Sequence, residues 1–149
     1  MKNIYILILI ATLSATVAQA QILKPIKWDA SVKKISDSDY ELIATATIDS
    51  GWHLYSQAVP EDGPIPTTFT FKGDANYVKK GNTKEEKGKT VHDSVFDMEI
   101  KFFENKAIFK QRIKVLKPIK AITGEVEFMV CDDTQCLPPT TVDLEFNLN

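Results

Sequence analysis

Cys131 and Cys136 are the two cysteines of the chain, with four residues between them in the stretch "VCDDTQCLPPT". Two thiols at this spacing can close a bridge, join a metal site, or shuttle between dithiol and disulfide. A bridge over a loop of about six residues would contribute about 2 kcal/mol through chain entropy, the low end for disulfides. A staple meant for stability would better join distant segments. Bridges that are strained or exposed are the ones that open readily. Asp132 and Asp133 lie between the cysteines, with no Lys, Arg or His beside them. Nearby carboxylates disfavour a thiolate, which suits an electron carrier better than an aggressive nucleophile. The same aspartates fit as turn formers that accept backbone N–H bonds. Pro138 and Pro139 then fix φ and withhold two donors, stiffening the outgoing chain. His53 and His92 could be added to the cysteines as a zinc set. The 38 residues between the histidines are not a finger-like spacing, and there is no second close ligand pair, so no metal is expected. On these residues alone a redox pair and a structural turn bridge both remain open.

The elements that must hold this stretch are strands. "DYELIATATI" places Tyr40, Leu42, Ala44, Ala46 and Ile48 on one face. "KAIFKQRIKV" sets Ala107, Phe109, Gln111, Ile113 and Val115 against Ile108, Lys110, Arg112 and Lys114. "GEVEFMV" and "TVDLEFNL" alternate in the same way, with Val126, Phe128, Val130 and Val142, Leu144, Phe146, Leu148 inward. Period-two alternation of this kind marks half-buried strands. Shorter strands are predicted at 26–32, 52–55, 67–71 and 99–103. The stretch 79–89, where basic residues cluster around Glu85 and Glu86, reads as a solvated loop or edge. Turn signals such as "SDSD", "EDGPIP" and "ENK" separate the strands, and no window carries a helical stripe. Short strands at this spacing predict an all-β, immunoglobulin-like antiparallel sandwich. Counting parity from Val126, Phe128 and Val130 places Cys131 with Glu125, Glu127 and Met129, pointing away from the core and toward solvent.

The segment "MKNIYILILIATLSATVAQA" has a basic start, an apolar run from Ile4 to Leu13 and the small-x-small sequence Ala18-Gln19-Ala20. It reads as a signal peptide, residues 1–20, cleaved before Gln21. Its apolar run is about ten residues, whereas a membrane span needs roughly twenty. The mature chain, 21–149, is then expected to be one secreted domain, in a compartment where disulfides persist. Removing Lys2 with the leader leaves 17 basic against 20 acidic residues, a net charge near −3 that argues against a nucleic-acid partner.

Three stretches together carry a resemblance. "CDDTQCLPPTTVDLEF" resembles the active-site hairpin of the N-terminal periplasmic domain of the thiol:disulfide interchange protein DsbD. "GWHLYSQAVPEDGPIPTTFTF" is similar to that family's Gly-aromatic-x-Leu-Tyr strand and the proline-rich loop after it. "VHDSVFDMEIKFFENKAIFKQRIKV" is similar to its His-acid-x-x-Phe segment and the strand that follows. The resemblance implies an immunoglobulin-like fold with a redox-active cysteine pair on one hairpin. It implies Cys136 as the sulfur that meets partners and Cys131 as the one that resolves the mixed disulfide. Asp93, Ser94, Val95, Phe96 and Asp97 would be a cap loop over the pair, with Phe96 as its shield. Trp52, His53 and Tyr55 would stand near the site, with Asp132, Asp133 and Pro138 in the hairpin itself. The implied partners are thioredoxin-like periplasmic proteins and a separate membrane electron transporter. No cofactor is expected beyond the disulfide, and the chain is expected to be a stand-alone monomer in the periplasm. The alternative is a non-enzymatic immunoglobulin-like binding module with a structural turn disulfide. Three departures stand out. The cysteine spacing is one residue shorter than in the better-known enterobacterial pattern. Asp97 replaces the aromatic that usually follows the cap phenylalanine, and His53 stands where an aromatic often occurs.

Overall fold

A computed structural model describes residues 23–148, so the expected signal peptide lies outside the described residues. Eleven strands follow in chain order: β1 (Ile26–Lys34), β2 (Asp39–Ile48), β3 (His53–Tyr55), β4 (Thr68–Phe71), β5 (Tyr77–Glu85), β6 (Lys89–Asp93), β7 (Met98–Glu104), β8 (Lys106–Val115), β9 (Ala121–Phe128), β10 (Val130–Cys131) and β11 (Thr140–Asn147). All pairings between them are antiparallel. They form three sheets, in the orders β1-β2-β8-β5, β10-β3-β7-β6 and β11-β9-β4. No helix occurs among the described residues. The architecture is the immunoglobulin-like β-sandwich that the alternation predicts.

The core forms where the inward faces meet. Leu42, Ala44, Ala46 and Ile48 of β2 join Ala107, Phe109 and Ile113 of β8 from one layer. Leu54, Phe103, Ile122, Val126, Phe128, Val130, Leu144 and Phe146 meet them from the strands of the other two sheets. Trp28 packs among the rings of Phe69, Phe109 and Phe128, with centroids 5.5–5.9 Å away. Gln111 is the polar exception on the inward face of β8. Its amide donates to the Gly81 and Arg112 carbonyls and its oxygen accepts from Thr83 Oγ1. These bonds satisfy the buried side chain where β5 slips register against β8 between Lys80 and Lys84.

Two strands were not predicted. β5 is the outer edge of its sheet, in agreement with the edge reading of 79–89, and its residues are mostly exposed. β6 is likewise an edge, and only Asp93 of its five residues is buried. Neither carries period-two hydrophobicity, because neither has a face turned fully to the core. Pairing with β8 and β7 holds them in place.

The β10-β3-β7-β6 sheet positions the site. Its inward face supplies Leu54, Phe103 and Val130 to the main core. Its outward face carries a second cluster of Tyr55, Ile100, Phe102 and Cys131, against which Val59, Phe96, Met98, Met129 and Cys136 pack. The proline-rich loop after β3 is tied back to this face. Thr67 Oγ1 donates to the Tyr55 carbonyl at 2.6 Å, and the Thr67 amide donates to the Ser56 carbonyl at 3.1 Å. Glu85, at the end of β5, accepts from Ser56 Oγ, the Gln57 amide and Lys101 Nζ, locking the same corner.

Candidate functional site: a disulfide between two hairpins

The cysteine hairpin starts where the chain changes sheets. β9 pairs with β11 and β4 as far as Phe128. After Met129 the chain pairs instead with β3, aligning Val130 with Leu54 and Cys131 with His53. Cys131 and Cys136 are joined as a disulfide, their Cα atoms 4.0 Å apart. The Leu137 amide donates to the Val130 carbonyl at 2.9 Å and closes the hairpin behind the bridge.

The turn is built by Asp132. Its Oδ1 accepts from the Thr134 amide, the Gln135 amide and Thr134 Oγ1, each at 2.8 Å, and its own amide donates to the Gln135 carbonyl at 2.9 Å. Hydrogen bonds from Thr134, then Gln135, hold its carboxyl down at about 2. The turn-forming role expected of these aspartates is therefore realised by Asp132 in detail. Asp133 is exposed at the tip, and Pro138 is exposed just beyond the bridge.

The expectation that Cys131 faces solvent is overturned: its exposure is 0%. Parity does place it opposite Val130, which lies in the main core. The face it reaches is the one covered by the second cluster. Cys136 is only half-buried, so the two cysteines differ in exposure.

The second hairpin joins β6 to β7 through residues 94–97, with Asp93 opposite Met98. Asp93 is 6% exposed and organises the tip with both oxygens. Oδ1 accepts from the Val95 amide at 2.9 Å and the Phe96 amide at 3.2 Å. Oδ2 accepts from the Tyr55 hydroxyl at 2.8 Å. Asp97 takes a positive φ of 55°, which an aspartate tolerates at a tight turn. Its Oδ1 lies 3.0 Å from His92 Nε2 across the base of the tip. Ser94 and Val95 are exposed. Phe96 turns inward, half-buried, and meets the Tyr55 ring edge-on at 5.8 Å between centroids.

The three aromatic candidates on or before β3 divide by face. Tyr55 is fully buried in the second cluster, and burial followed by its bond to Asp93 drives its pKa upward. His53, two residues earlier, shares that face. Its ring lies 4.6 Å from that of Phe102, and its Nε2 is 3.3 Å from the Tyr55 oxygen and 3.7 Å from Asp93 Oδ2. Burial lowers its pKa, opposed by Asp93 and, less strongly, by Asp133, Glu104 and Asp132. Trp52 packs against the main core instead. A small cavity of about 110 Å³ between the hairpins is lined by His53, Asp93, Phe102, Glu104, Asp132 and Asp133, among others. His53 and His92 are not gathered with the cysteines into a metal-binding group among the described residues.

Sequence reasoning missed Ile100, Phe102, Met98 and Met129 as neighbours of the bridge. The adjacent aromatics Phe102 and Phe103 held the available signal. Successive residues of a strand point to opposite faces, so a Phe-Phe pair requires two apolar faces.

The family model described as "Thiol:disulfide interchange protein DsbD, N-terminal" matches residues 19–148. Among solved structures, the chain is similar to the reduced N-terminal domain of DsbD from Neisseria meningitidis, at 16% identity and a TM-score of 0.56, covering 86% of this chain and 91% of that one. It is also similar to the N-terminal periplasmic domain of ScsB from Proteus mirabilis, at 13% identity and a TM-score of 0.55, covering 85% of this chain and 49% of that one. No curated protein matches.

Proposed function

Because the chain belongs to the family of N-terminal domains of the thiol:disulfide interchange protein DsbD, we propose that it is a periplasmic thiol–disulfide exchange protein. It passes reducing equivalents between a membrane electron transporter and thioredoxin-like oxidoreductases through the Cys131–Cys136 bridge. The sulfur pair is the whole redox apparatus, with no further cofactor. The observation that carries the reading is the unequal burial of one disulfide: Cys131 is fully buried and Cys136 only half-buried. Reactive cysteines need access, whereas enclosed ones are inert toward outside reagents. A pair divided in this way suits a contact sulfur backed by a resolving sulfur.

The exchange then has a defined order. A donor thiolate attacks Cys136 Sγ and the Cys131–Cys136 bond breaks, its electron pair leaving on Cys131 Sγ. A second donor thiolate attacks the donor sulfur of the mixed disulfide. This frees Cys136 and leaves the donor oxidised. Delivery to an acceptor runs these steps backward. Phe96 and residues 93–97 act as a lid that keeps the reduced pair from stray oxidants and moves aside on docking. Contacts of this kind are small and transient.

The test is equilibration of the mature protein against glutathione and dithiothreitol buffers, together with exchange against a thioredoxin-like protein. A potential above about −300 mV with measurable exchange is expected. A potential below that value with no exchange would reduce the bridge to a structural turn clip.

A further inference from the structure

The buried sulfur raises a proton problem that the exchange reaction does not solve. When the bridge opens, Cys131 leaves as a thiolate inside an apolar cluster, with Asp132 and Asp133 next to it in the chain and Asp93 beside the opposing His53. Burial and neighbouring carboxylates both penalise that charge. Cys131 must gain a proton as it leaves and lose one before it can attack.

We propose that His53 is the acid–base partner of Cys131, held in the required tautomer by Tyr55 and Asp93. The proposal deepens the exchange reading above and rests on it. Three observations carry it. First, His53 and Cys131 are directly opposed in the β3–β10 pairing, which sets their side chains on one face with Cβ atoms about 4.5–5.5 Å apart. Second, the Tyr55 hydroxyl hydrogen is committed to Asp93 at 2.8 Å. Its oxygen can only accept from His53 Nε2, 3.3 Å away. Nε2 therefore carries the hydrogen in the neutral ring. Third, His53 Nδ1 makes no hydrogen bond among the described residues, so its lone pair is free on the residue paired across the strands with Cys131. Asp93, Tyr55, His53 and Cys131 thus form a chain in which a base is oriented by groups behind it.

The proton balance follows. As a donor thiolate attacks Cys136 and the electron pair leaves on Cys131 Sγ, the proton on Nδ1 of the imidazolium passes to Cys131. The ring ends neutral. In the reverse direction neutral Nδ1 takes the Cys131 proton as its sulfur attacks Cys136 and the partner sulfur leaves with its electron pair. The charged and titratable groups around the ring are Asp93 from β6, Tyr55 from β3, Glu104 from β7, and Cys131, Asp132 and Asp133 from the cysteine hairpin. Glu104 is itself paired with Lys89, and His92 lines the same cavity. Burial outweighs the carboxylates and lowers the ring's pKa, which favours the neutral ring with Nδ1 free as the base and makes the imidazolium a transient species, formed only as the proton passes through to Cys131.

The test uses the mature protein, reduced and then loaded with glutathione at Cys136. Release of glutathione is followed from pH 5 to 9. The unsubstituted protein should show release nearly flat through neutral pH and falling only on the acid side of the ordinary imidazole value of about 6.5. His53→Phe keeps the stack on Phe102, and His53→Gln keeps a donor to Tyr55. Both should lose the plateau, run about 100-fold slower at pH 7 and rise tenfold per pH unit. A folded variant with the parental profile overturns the proposal. The ring nitrogens of His53 in the unsubstituted, reduced protein give an independent answer by NMR: a proton on Nε2 supports the assignment, and a proton on Nδ1 overturns it. Exchange of the unsubstituted protein with glutathione tests the redox reading separately. If that exchange is absent, both readings fall; if it is present with unchanged variant profiles, only the role of His53 falls.

Discussion

The main core and the smaller cluster around Cys131 share strands but close differently. Leu54, Phe103 and Val130 point into a core sealed by strands of all three sheets. Their neighbours Tyr55, Phe102 and Cys131 point outward into a cluster roofed by hairpin and loop residues, among them Phe96, Val59 and Met129. The first closure is made of sheet, whose opening requires global unfolding. The second is made of a four-residue tip and a turn, segments that can open locally while the sheets stay intact. A disulfide placed in the second cluster gains shelter without being locked away.

The comparison breaks first if the two clusters respond alike to truncation. Phe109→Ala, in the main core, should cost about 3–5 kcal/mol of global stability, measured by urea unfolding of the oxidised protein. It should leave reduction of the bridge by dithiothreitol unchanged under conditions where the protein stays folded. Asp93→Ala comes next. It leaves the Tyr55 hydroxyl without its acceptor and frees the Val95 and Phe96 amides, at about 1–3 kcal/mol. Hydrogen exchange should localise that loss to residues 93–98 and Tyr55, with β2 and β8 unaffected. Phe96→Ala removes the edge-on contact with Tyr55, worth about 0.5–1.5 kcal/mol, or roughly a 2–10-fold shift in lid opening. Urea unfolding should hardly register it, while reduction of the bridge accelerates by that factor. Equal rates in parent and variant would show that Phe96 is no lid.

The smallest effect separates the two hairpins by pH. The Asp132 carboxylate is held at about 2 by the Thr134 and Gln135 donors, below the value near 3.9 of an unfolded aspartate. The folded turn therefore binds fewer protons than the unfolded one. Its contribution is present in full above about pH 4 and is lost as the pH falls toward 2. The Thr134 and Gln135 amide resonances should titrate together near pH 2, and Asp132→Asn should abolish that inflection.

Much of this arrangement is legible in the residues. Alternation in "DYELIATATI" and "KAIFKQRIKV" gives β2 and β8 with their faces correctly assigned. The turn chemistry of Asp132 follows from an aspartate flanked by polar residues inside a short cysteine loop. β6 was not legible, since "KTVHD" has no buried stripe and owes its place to pairing with β7. The destination of Cys131 was half legible. Parity gives the face, but the residues packed against that face include Val59 and Phe96, more than thirty residues upstream in the chain.

The amino-acid order by itself determined an all-β sandwich, the strands with one apolar face, and a cysteine pair on a tight hairpin, because period-two patterning and turn residues act locally. Only the tertiary structure decided that the outer face of one sheet is a second apolar compartment. It alone decided that Cys131 is fully buried while Cys136 is half-buried, and that His53 stands opposite Cys131 with Tyr55 and Asp93 behind it. Those outcomes depend on which strands become neighbours, and pairing register is set by the whole core at once rather than by any one strand.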